Sequence, residues 1–134
     1  MAQNTLTQNS KSLLQQPVIL NLALVLDDGT PHITPVWVDV EGDNLVINTA
    51  RGRSKEKHLH QGSKVAISVV DPTNPFNVVA LQGTVVDITE EGADAHIDKL
   101  AKKYLGVDSY PNRTPTEVRV KVTIQPNKIW MQPQ

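Results

Sequence analysis

Apolar and polar residues alternate along most of the chain with the two-residue period of a β-strand. This pattern predicts strands at residues 18–26, 32–40, 45–50, 64–71, 78–88 and 118–124, with a final apolar stretch at 128–131. The sequences DDGT at 27–30 and EGDN at 41–44 are typical of hairpin turns, so the first three strands are expected to form a meander. Pro35 favours an edge position for its strand, and Gly83 favours a β-bulge.

Helical spacing of apolar residues is clearest over residues 90–105. Thr89 is suited to cap the start of this helix, and Gly106 is suited to end it. A much shorter helix is predicted over residues 55–60, with Ser54 as its N-cap. The long helix is therefore the main helical element that the sequence predicts.

About six antiparallel strands beside few helices indicate an all-β barrel with helical decoration, in a single domain over residues 1–134. The polar N-terminal segment, residues 1–16, is expected to be partly helical. Hydrophobic residues make up 39% of the chain but aromatic residues only 4%, so the core is expected to consist of Val, Ile, Leu and Ala. Trp130 is expected to close this core near the C-terminus.

Composition excludes several classes of function. Cysteine is absent, which excludes a disulfide framework, a thiolate metal site and a cysteine nucleophile. No apolar run approaches the ~20 residues that cross a bilayer, and the N-terminus lacks the features of a signal peptide, so we predict a cytoplasmic protein without a membrane partner. The net charge of -1 gives no support for general binding to nucleic acid.

Positive charge is concentrated in one window of this nearly neutral chain, at Arg51, Arg53, Lys55 and Lys57. A helix N-terminus already carries roughly +0.5 charge, so cations in the first turn cost about 0.3–1 kcal/mol each. An anion bound there would reverse this cost, and a phosphate would suit the backbone N–H groups and the cations together. The alternative is a solvated basic turn that Glu56 partly compensates. The residues alone leave both interpretations open.

Other reactive side chains form no recognisable catalytic or metal motif. His58 and His60 lie on different faces of their predicted helix, and His96 is assigned to the face opposite the apolar stripe, so all are interpreted as surface histidines. The sequence SKEK at 54–57 matches the Ser-x-x-Lys motif, but its two companion motifs are missing. Trp37 lies in a strand and suits the core, a dimer interface or a flat wall for an aromatic ligand.

The order of these features resembles one family along residues 18–131. The ordered segments are DDGTPHITPVW, NTARGRSKEKHL, NPFNVVALQGTVVDI, KLAKKYLGVDSYP, a strand with Arg119, and PNKIWMQ. They are similar to the pyridoxamine 5'-phosphate oxidase-like flavin and deazaflavin oxidoreductases, and within these to the branch that uses coenzyme F420. Phe76 and Asn77 depart from the Tyr-Arg pair that is common in this branch.

The resemblance implies a split β-barrel that forms a homodimer, with F420 or alternatively FMN bound between the subunits. It implies that the basic window holds the phosphate, that the strand before Trp37 flanks the ring system, and that Gln82 lies near the ring or tail. The implied cofactor-binding residues are Thr34, Pro35, Val36, Trp37, Thr49, Ala50, Arg53, Ser54, Lys55, Lys57 and Gln82.

The implied activity is hydride transfer between the cofactor and a small unsaturated organic substrate. Because the cofactor carries this chemistry, no catalytic side chain and no metal site are expected. Two alternatives stay open: a flavin-binding carrier or sensor without turnover, and a haem-binding split barrel in which His32 is the available strand histidine. Quinones, nitro compounds, tetrapyrroles and fatty acids all remain candidate substrates.

Overall fold

The computed structural model describes residues 3–134, with the side chains of residues 54 and 55 outside the described part. Its strands are β1 (Leu20–Val25), β2 (Pro31–Val36), β3 (Asp39–Glu41), β4 (Asn44–Ala50), β5 (Lys64–Asp71), β6 (Asn74–Thr89) and β7 (Arg119–Met131). Its helices are α1 (Gln8–Leu14), α2 (Ser54–Lys57) and α3 (Ala93–Leu105). None of the helices in the described residues has the length and apolar character needed to span a bilayer.

The strands form one antiparallel sheet in the order β2-β1-β5-β6-β7-β4-β3. β2 and β3 lie at opposite ends of this order, yet only Trp37 and Val38 separate them along the chain. The sheet therefore curls until its two edge strands approach each other without pairing, which is a split barrel. The predicted fold class, an all-β split barrel with helical decoration, is confirmed, and Pro35 lies in an edge strand as expected.

The prediction of one continuous strand over residues 32–40 is wrong. The chain leaves the sheet at Trp37 and Val38, where the Val38 N–H donates to the Tyr104 hydroxyl at 2.9 Å instead of to a neighbouring strand. The meander is consequently broken: β2 pairs with β1, whereas β3 pairs with β4. Residues far along the chain decide this break, so local alternation did not reveal it.

Two apolar layers hold the structure together. The barrel interior is filled by aliphatic side chains that alternate along the strands, including Leu20, Leu22, Leu24, Leu45, Ile47, Val120, Val122 and Ile124, each at most 4% exposed. On the outer side of β4 and β7, the buried residues Ile97, Leu100 and Ala101 of α3 form a second layer. Both faces of β4 are therefore covered, and this position of α3 creates the space described below.

Several element boundaries differ from the predictions. β6 begins at Asn74, so the expected loop after β5 is a tight turn, and β7 continues through Pro126 instead of breaking into two segments. α3 begins after Gly92, whose φ of 76° places it in the left-handed region, while the Thr89 hydroxyl accepts the Glu91 N–H before the helix. A local turn thus takes Thr89, the residue that the sequence assigned as the N-cap of this helix.

Two further predictions are confirmed, and two others are wrong. The irregularity between Gln82 and Gly83 confirms the predicted bulge, and Gly106 ends α3 with a φ of 73°. The N-cap of α2 is Arg53, not Ser54. Trp130 is 48% exposed and does not close the core, because Ile129 takes the inward position of that strand.

Candidate functional site

A cavity of about 180 Å³ opens at the end of the barrel where β2 leaves the sheet and β7 begins. β2, β4 and β7 contribute to its walls, together with α3 and the segments that follow Val36, Ala50 and Gly106. Its lining residues are Pro35, Val36, Trp37, Asn48, Arg53, Ile97, Leu100, Tyr110 and Arg119. Apolar, aromatic and cationic side chains therefore meet in one space.

Aromatic rings form one wall of this cavity. Trp37 stacks on Tyr104 with ring centroids 4.8 Å apart and meets Tyr110 edge to face at 6.1 Å. The Tyr104 hydroxyl accepts the Val38 N–H and donates to the Val18 carbonyl, which fixes the ring under Trp37. Burial raises the pKa of Tyr104, so its hydroxyl stays protonated and can keep donating. The position of Trp37 is thus determined by packing on α3.

Among the described residues that line the cavity, Arg53 and Arg119 supply the positive charge. Arg119, 4% exposed at the start of β7, donates from Nε to the Asn48 side-chain oxygen at 2.9 Å, and its guanidinium lies 5.2 Å from the centre of the Tyr110 ring. Arg53 is about half exposed and lies 3.6 Å from the carboxylate of Glu117, which is also 3.3 Å from Arg119. The arginines come from segments far apart in sequence and share one carboxylate.

Arg51 and Arg53 of the basic window have different surroundings. Arg51 pairs with Glu56 at 3.3 Å and Glu90 at 3.1 Å, and Glu56 also accepts the Gly52 N–H at 2.8 Å. The predicted compensation by Glu56 is therefore present for Arg51. Arg53 differs, because it reaches the cavity.

A buried chain of polar groups runs from the cavity under α3. The Asn48 side-chain amide donates to the Ala93 carbonyl at 2.8 Å and lies 3.2 Å from His96 Nδ1. Since an amide NH₂ only donates, Nδ1 is the acceptor and the neutral ring carries its proton on Nε2. His96 Nε2 in turn lies 3.7 Å from the carboxylate of Asp39. Asn48 therefore links α3 to the cavity.

His96 is 5% exposed, so its interpretation as a surface histidine is wrong. It follows Ala93 by three residues and precedes Leu100 by four, which places it on the buried face of α3 and not opposite it. Burial by itself would raise the pKa of Asp39, but the nearby His96 ring and the hydrogen bonds from Lys99 and the Val40 N–H outweigh it and hold that pKa well below its usual range. The buried carboxylate of Asp39 therefore stays ionised, and the ammonium group of Lys99 balances its charge.

One group of potential metal ligands lies at the Asp39 end of this network of buried polar groups. Side-chain donor atoms of Asp39, Glu41 and His96 lie within 4.8 Å of one another. However, Lys99 binds Asp39 at 2.9 Å, Lys121 binds Glu41 at 2.8 Å, and the proton on His96 Nε2 faces Asp39. The arrangement is that of a charge network in which ammonium groups already balance the carboxylates.

Comparison with known proteins decides the family. A family model described as pyridoxamine 5'-phosphate oxidase matches residues 6–131. The chain belongs to this family. The resemblance inferred from the ordered segments is thereby confirmed. No curated protein sequence matches the chain significantly.

Solved structures with the same fold include proteins of different descriptions. A structure described as an F420 reductase is 29% identical over 92% of this chain and 98% of its own, with a TM-score of 0.79. The FAD and haem binding protein from Mycobacterium smegmatis is 20% identical over 92% of this chain and 70% of its own, with a TM-score of 0.63. General Stress Protein 26 from Bacillus anthracis is 18% identical over 95% and 94%, with a TM-score of 0.65. The last two likenesses show the fold alone.

Within this pyridoxamine 5'-phosphate oxidase fold, the residues implied by the resemblance are distributed over several places. Pro35, Val36, Trp37 and Arg53 line the cavity. Thr34, Thr49, Ala50, Lys57 and Gln82 are not among its lining residues, whereas the side chains of Ser54 and Lys55 lie outside the described part.

These other positions have distinct surroundings. Thr49 is fully buried and by strand alternation faces the barrel interior, whereas Ala50 is 5% exposed on the opposite face of β4. Thr34 is half-buried and Lys57 is exposed. Gln82 lines a separate groove on the outside of the barrel.

Sequence reasoning missed Asn48, Tyr110 and Arg119 as cavity residues. Each had a visible signal: a polar residue inside the apolar run LVINTA, an aromatic residue in a polar loop, and a cation within VRVKVTI. These signals had no interpretation until α3 covered the outer face of β4.

Proposed function

We propose that the chain is an oxidoreductase that binds a phosphorylated deazaflavin or flavin and transfers a hydride to a small unsaturated organic substrate. The observation that carries this proposal is the cavity that combines the flat ring of Trp37 with the guanidinium groups of Arg53 and Arg119. An aromatic wall suits a planar ring system, and guanidinium groups suit a phosphoryl or carboxylate group.

The residues present fit such a cofactor. Arg119 Nη1 is buried and has no hydrogen-bond partner among the residues that the structure describes. A buried donor without an acceptor costs about 1–3 kcal/mol, more when it is charged, so an anionic group beside it is favourable. When bound, the deazaflavin or flavin supplies the hydride chemistry, and the chain's own residues bind, orient and exclude water.

We favour F420 over FMN. The F420 reductase structure is 29% identical over 92% of the chain, which supports the branch that the sequence resembles. Both cofactors carry a phosphoryl group, so the cationic residues do not separate them. FMN is the alternative.

Within this proposal, the segment of the basic window binds the phosphate and the end of β2 flanks the ring. The first group comprises Arg53, Ser54 and Lys55, with Lys57 in support, and the second comprises Thr34, Pro35, Val36 and Trp37. Thr49 and Ala50 end the strand that leads into the basic window and would position it, because the Thr49 side chain faces the barrel interior. Pro35 carries no N–H, so hydrogen bonds from this strand to the polar edge of a ring come from the neighbouring backbone groups. Stacking of Trp37 on Tyr104 preorganises this wall.

We further propose that the functional unit is a homodimer. Ligand pockets usually measure about 300–1,000 Å³, so the cavity of about 180 Å³ in one chain is only part of a complete site. The outside of the barrel offers a surface for a second copy: Val25 is 61% exposed, Ile33 is 66% exposed, and Ala23 lies beside Ile33 and Ala66 in the sheet register. Exposed apolar patches of this kind favour association.

Gln82 lies opposite Ala66 and lines the groove on this outer surface. Its proposed position near the ring or tail therefore requires the second subunit.

Light scattering of Ile33→Glu tests the dimer: a shift to monomer with an unchanged circular-dichroism spectrum supports it, and an unchanged mass contradicts it.

Cofactor titration is the decisive experiment. Arg53→Ala combined with Lys55→Ala should weaken the affinity for F420 or FMN more than tenfold, which corresponds to about 1.4 kcal/mol. The matched control, Lys11→Ala combined with Lys102→Ala, removes the same charge elsewhere and should leave the affinity unchanged. Equal affinity of all three proteins would refute the phosphate assignment.

Turnover is tested separately from binding. Oxidation of the reduced cofactor, followed by absorbance with a quinone or a nitro compound, supports an oxidoreductase. Binding without oxidation by any such acceptor supports a carrier or sensor. A Soret band on adding haem is the signature of the third possibility, which the cavity does not favour because none of its lining residues is a histidine.

A further inference from the structure

Arg119 is held in place from two sides. Asn48 accepts a hydrogen bond from its Nε at 2.9 Å, and the ring of Tyr110 lies 5.2 Å from its guanidinium carbon. The side chain is 3% exposed, so water does not solvate it. The direction of the remaining N–H groups is therefore determined by the fold and not by a ligand.

The contact between Arg119 and Glu117 is incomplete. Arg119 Nη1 lies 3.3 Å from Glu117 Oε2 without meeting hydrogen-bond geometry, and Glu117 Oε1 is also buried. Neither atom has a hydrogen-bond partner elsewhere in the described part of the chain. Burying opposite charges without complete hydrogen bonds leaves desolvation poorly compensated. In an ion pair with a purely structural role, both Arg119 Nη1 and Glu117 Oε1 would have hydrogen-bond partners.

Arg53 approaches the same oxygen. Its Nη2 lies 3.6 Å from Glu117 Oε2, and its side chain also lines the cavity. Two guanidinium groups thus converge on one carboxylate, leaving one excess positive charge among the three groups. Paired guanidinium groups are well suited to an oxyanion that accepts several hydrogen bonds.

We infer that Arg53 and Arg119 form an oxyanion subsite, and that Glu117 occupies it in the free protein and is displaced by a phosphoryl or carboxylate group of the ligand. Glu117 lies in the irregular segment between α3 and β7, so its side chain can leave without breaking a strand ladder. Asn48 is the positioning residue of this subsite, because it orients Arg119. The inference deepens the proposed function, since it rests on a cofactor or substrate that carries such a group.

Calorimetric titration of the full chain with inorganic phosphate, succinate and FMN, at constant ionic strength, tests the inference. Glu117→Gln removes the competing charge but keeps the shape, and should raise the affinity for at least one of the three probes about tenfold. Glu41→Gln is the matched control, because it neutralises another ion-paired glutamate, 2.8 Å from Lys121 at the opposite end of β4. It should change no affinity.

Arg119→Lys keeps the positive charge but loses the planar fork, and should weaken the same interaction at least tenfold in a protein with an unchanged circular-dichroism spectrum. If that variant does not fold, Glu117→Gln alone decides. A response to phosphate but not to succinate identifies a phosphoryl group, and the reverse identifies a carboxylate. Unchanged or weaker affinity of Glu117→Gln for all three probes would overturn the inference.

Failure of the two proposals can be told apart. If FMN binds with an affinity that depends on Lys55 and Arg53 while Glu117→Gln has no effect, the proposed cofactor site is supported. The displacement of Glu117 by the ligand is then refuted. If phosphate or succinate binding rises in Glu117→Gln while neither FMN nor F420 binds, the oxyanion subsite stands and the proposed cofactor function does not.

Discussion

Replacing Asn48 with alanine should destabilise the protein strongly, because one side chain joins three buried partners. It donates to the Ala93 carbonyl at 2.8 Å, lies 3.2 Å from His96 Nδ1 and accepts from Arg119 Nε at 2.9 Å. A neutral hydrogen bond contributes about 1 kcal/mol and a bond to a charged group about 1.5–3 kcal/mol. The expected loss is therefore roughly 4 kcal/mol of the about 5–15 kcal/mol typical of a domain.

Urea unfolding followed by circular dichroism measures this loss. With a slope of about 2 kcal/mol/M, a loss of roughly 4 kcal/mol lowers the unfolding midpoint by about 2 M. Asn112→Ala is the matched control, because Asn112 is an exposed asparagine in the segment before β7. It should change the free energy of unfolding by no more than about 0.5 kcal/mol. A loss below about 1 kcal/mol for Asn48→Ala, at an unchanged slope, would refute the proposed network.

Three further variants test separate features. Gly83→Ala places a Cβ 2.8 Å from the Ile124 side chain and 2.9 Å from the Gln125 backbone oxygen, so it should cost about 1–3 kcal/mol in thermal unfolding, whereas Gln82→Ala should change little. Asp39→Asn should have a lower free energy of unfolding than the wild type near neutral pH, and this difference should narrow as the pH falls below about 4. The reason is that Asp39, whose pKa is lowered in the folded state, stabilises the protein only while its carboxylate is ionised; a pH-independent difference would contradict this. Burial lowers the pKa of Lys103 to about 8, so the wild-type free energy of unfolding should rise relative to Lys103→Met between pH 8 and about 10.5; a flat difference would count against that burial.

Much of the barrel was predictable because β-alternation is a local property. The run of inward-facing residues in β1, β4 and β7 is visible in the sequence, and so is the aliphatic core that the low aromatic content requires. Gly106 ends α3 as expected, since a left-handed residue at a helix C-terminus favours glycine. The family could also be inferred, because the ordered segments follow the strands that build its fold.

The cavity was only partly predictable. The end of β2 and Arg53 were inferred from the family resemblance, and both line the cavity. Asn48 and Arg119 were missed because a polar residue within an apolar strand can face solvent or a covering element with equal ease. Their side chains acquire a role only when α3 covers that side of the sheet.

The sequence by itself determined which residues alternate, where the chain can turn and which segment concentrates positive charge, because each depends on neighbours within a few positions. Tertiary structure decided that Val38 leaves the sheet to meet Tyr104, that His96 is buried beside Asn48, and that Glu117 lies between two arginines. These contacts join groups that are distant along the chain. Only closure of the barrel and docking of α3 bring them within hydrogen-bonding or ion-pairing distance, so no local pattern could predict them.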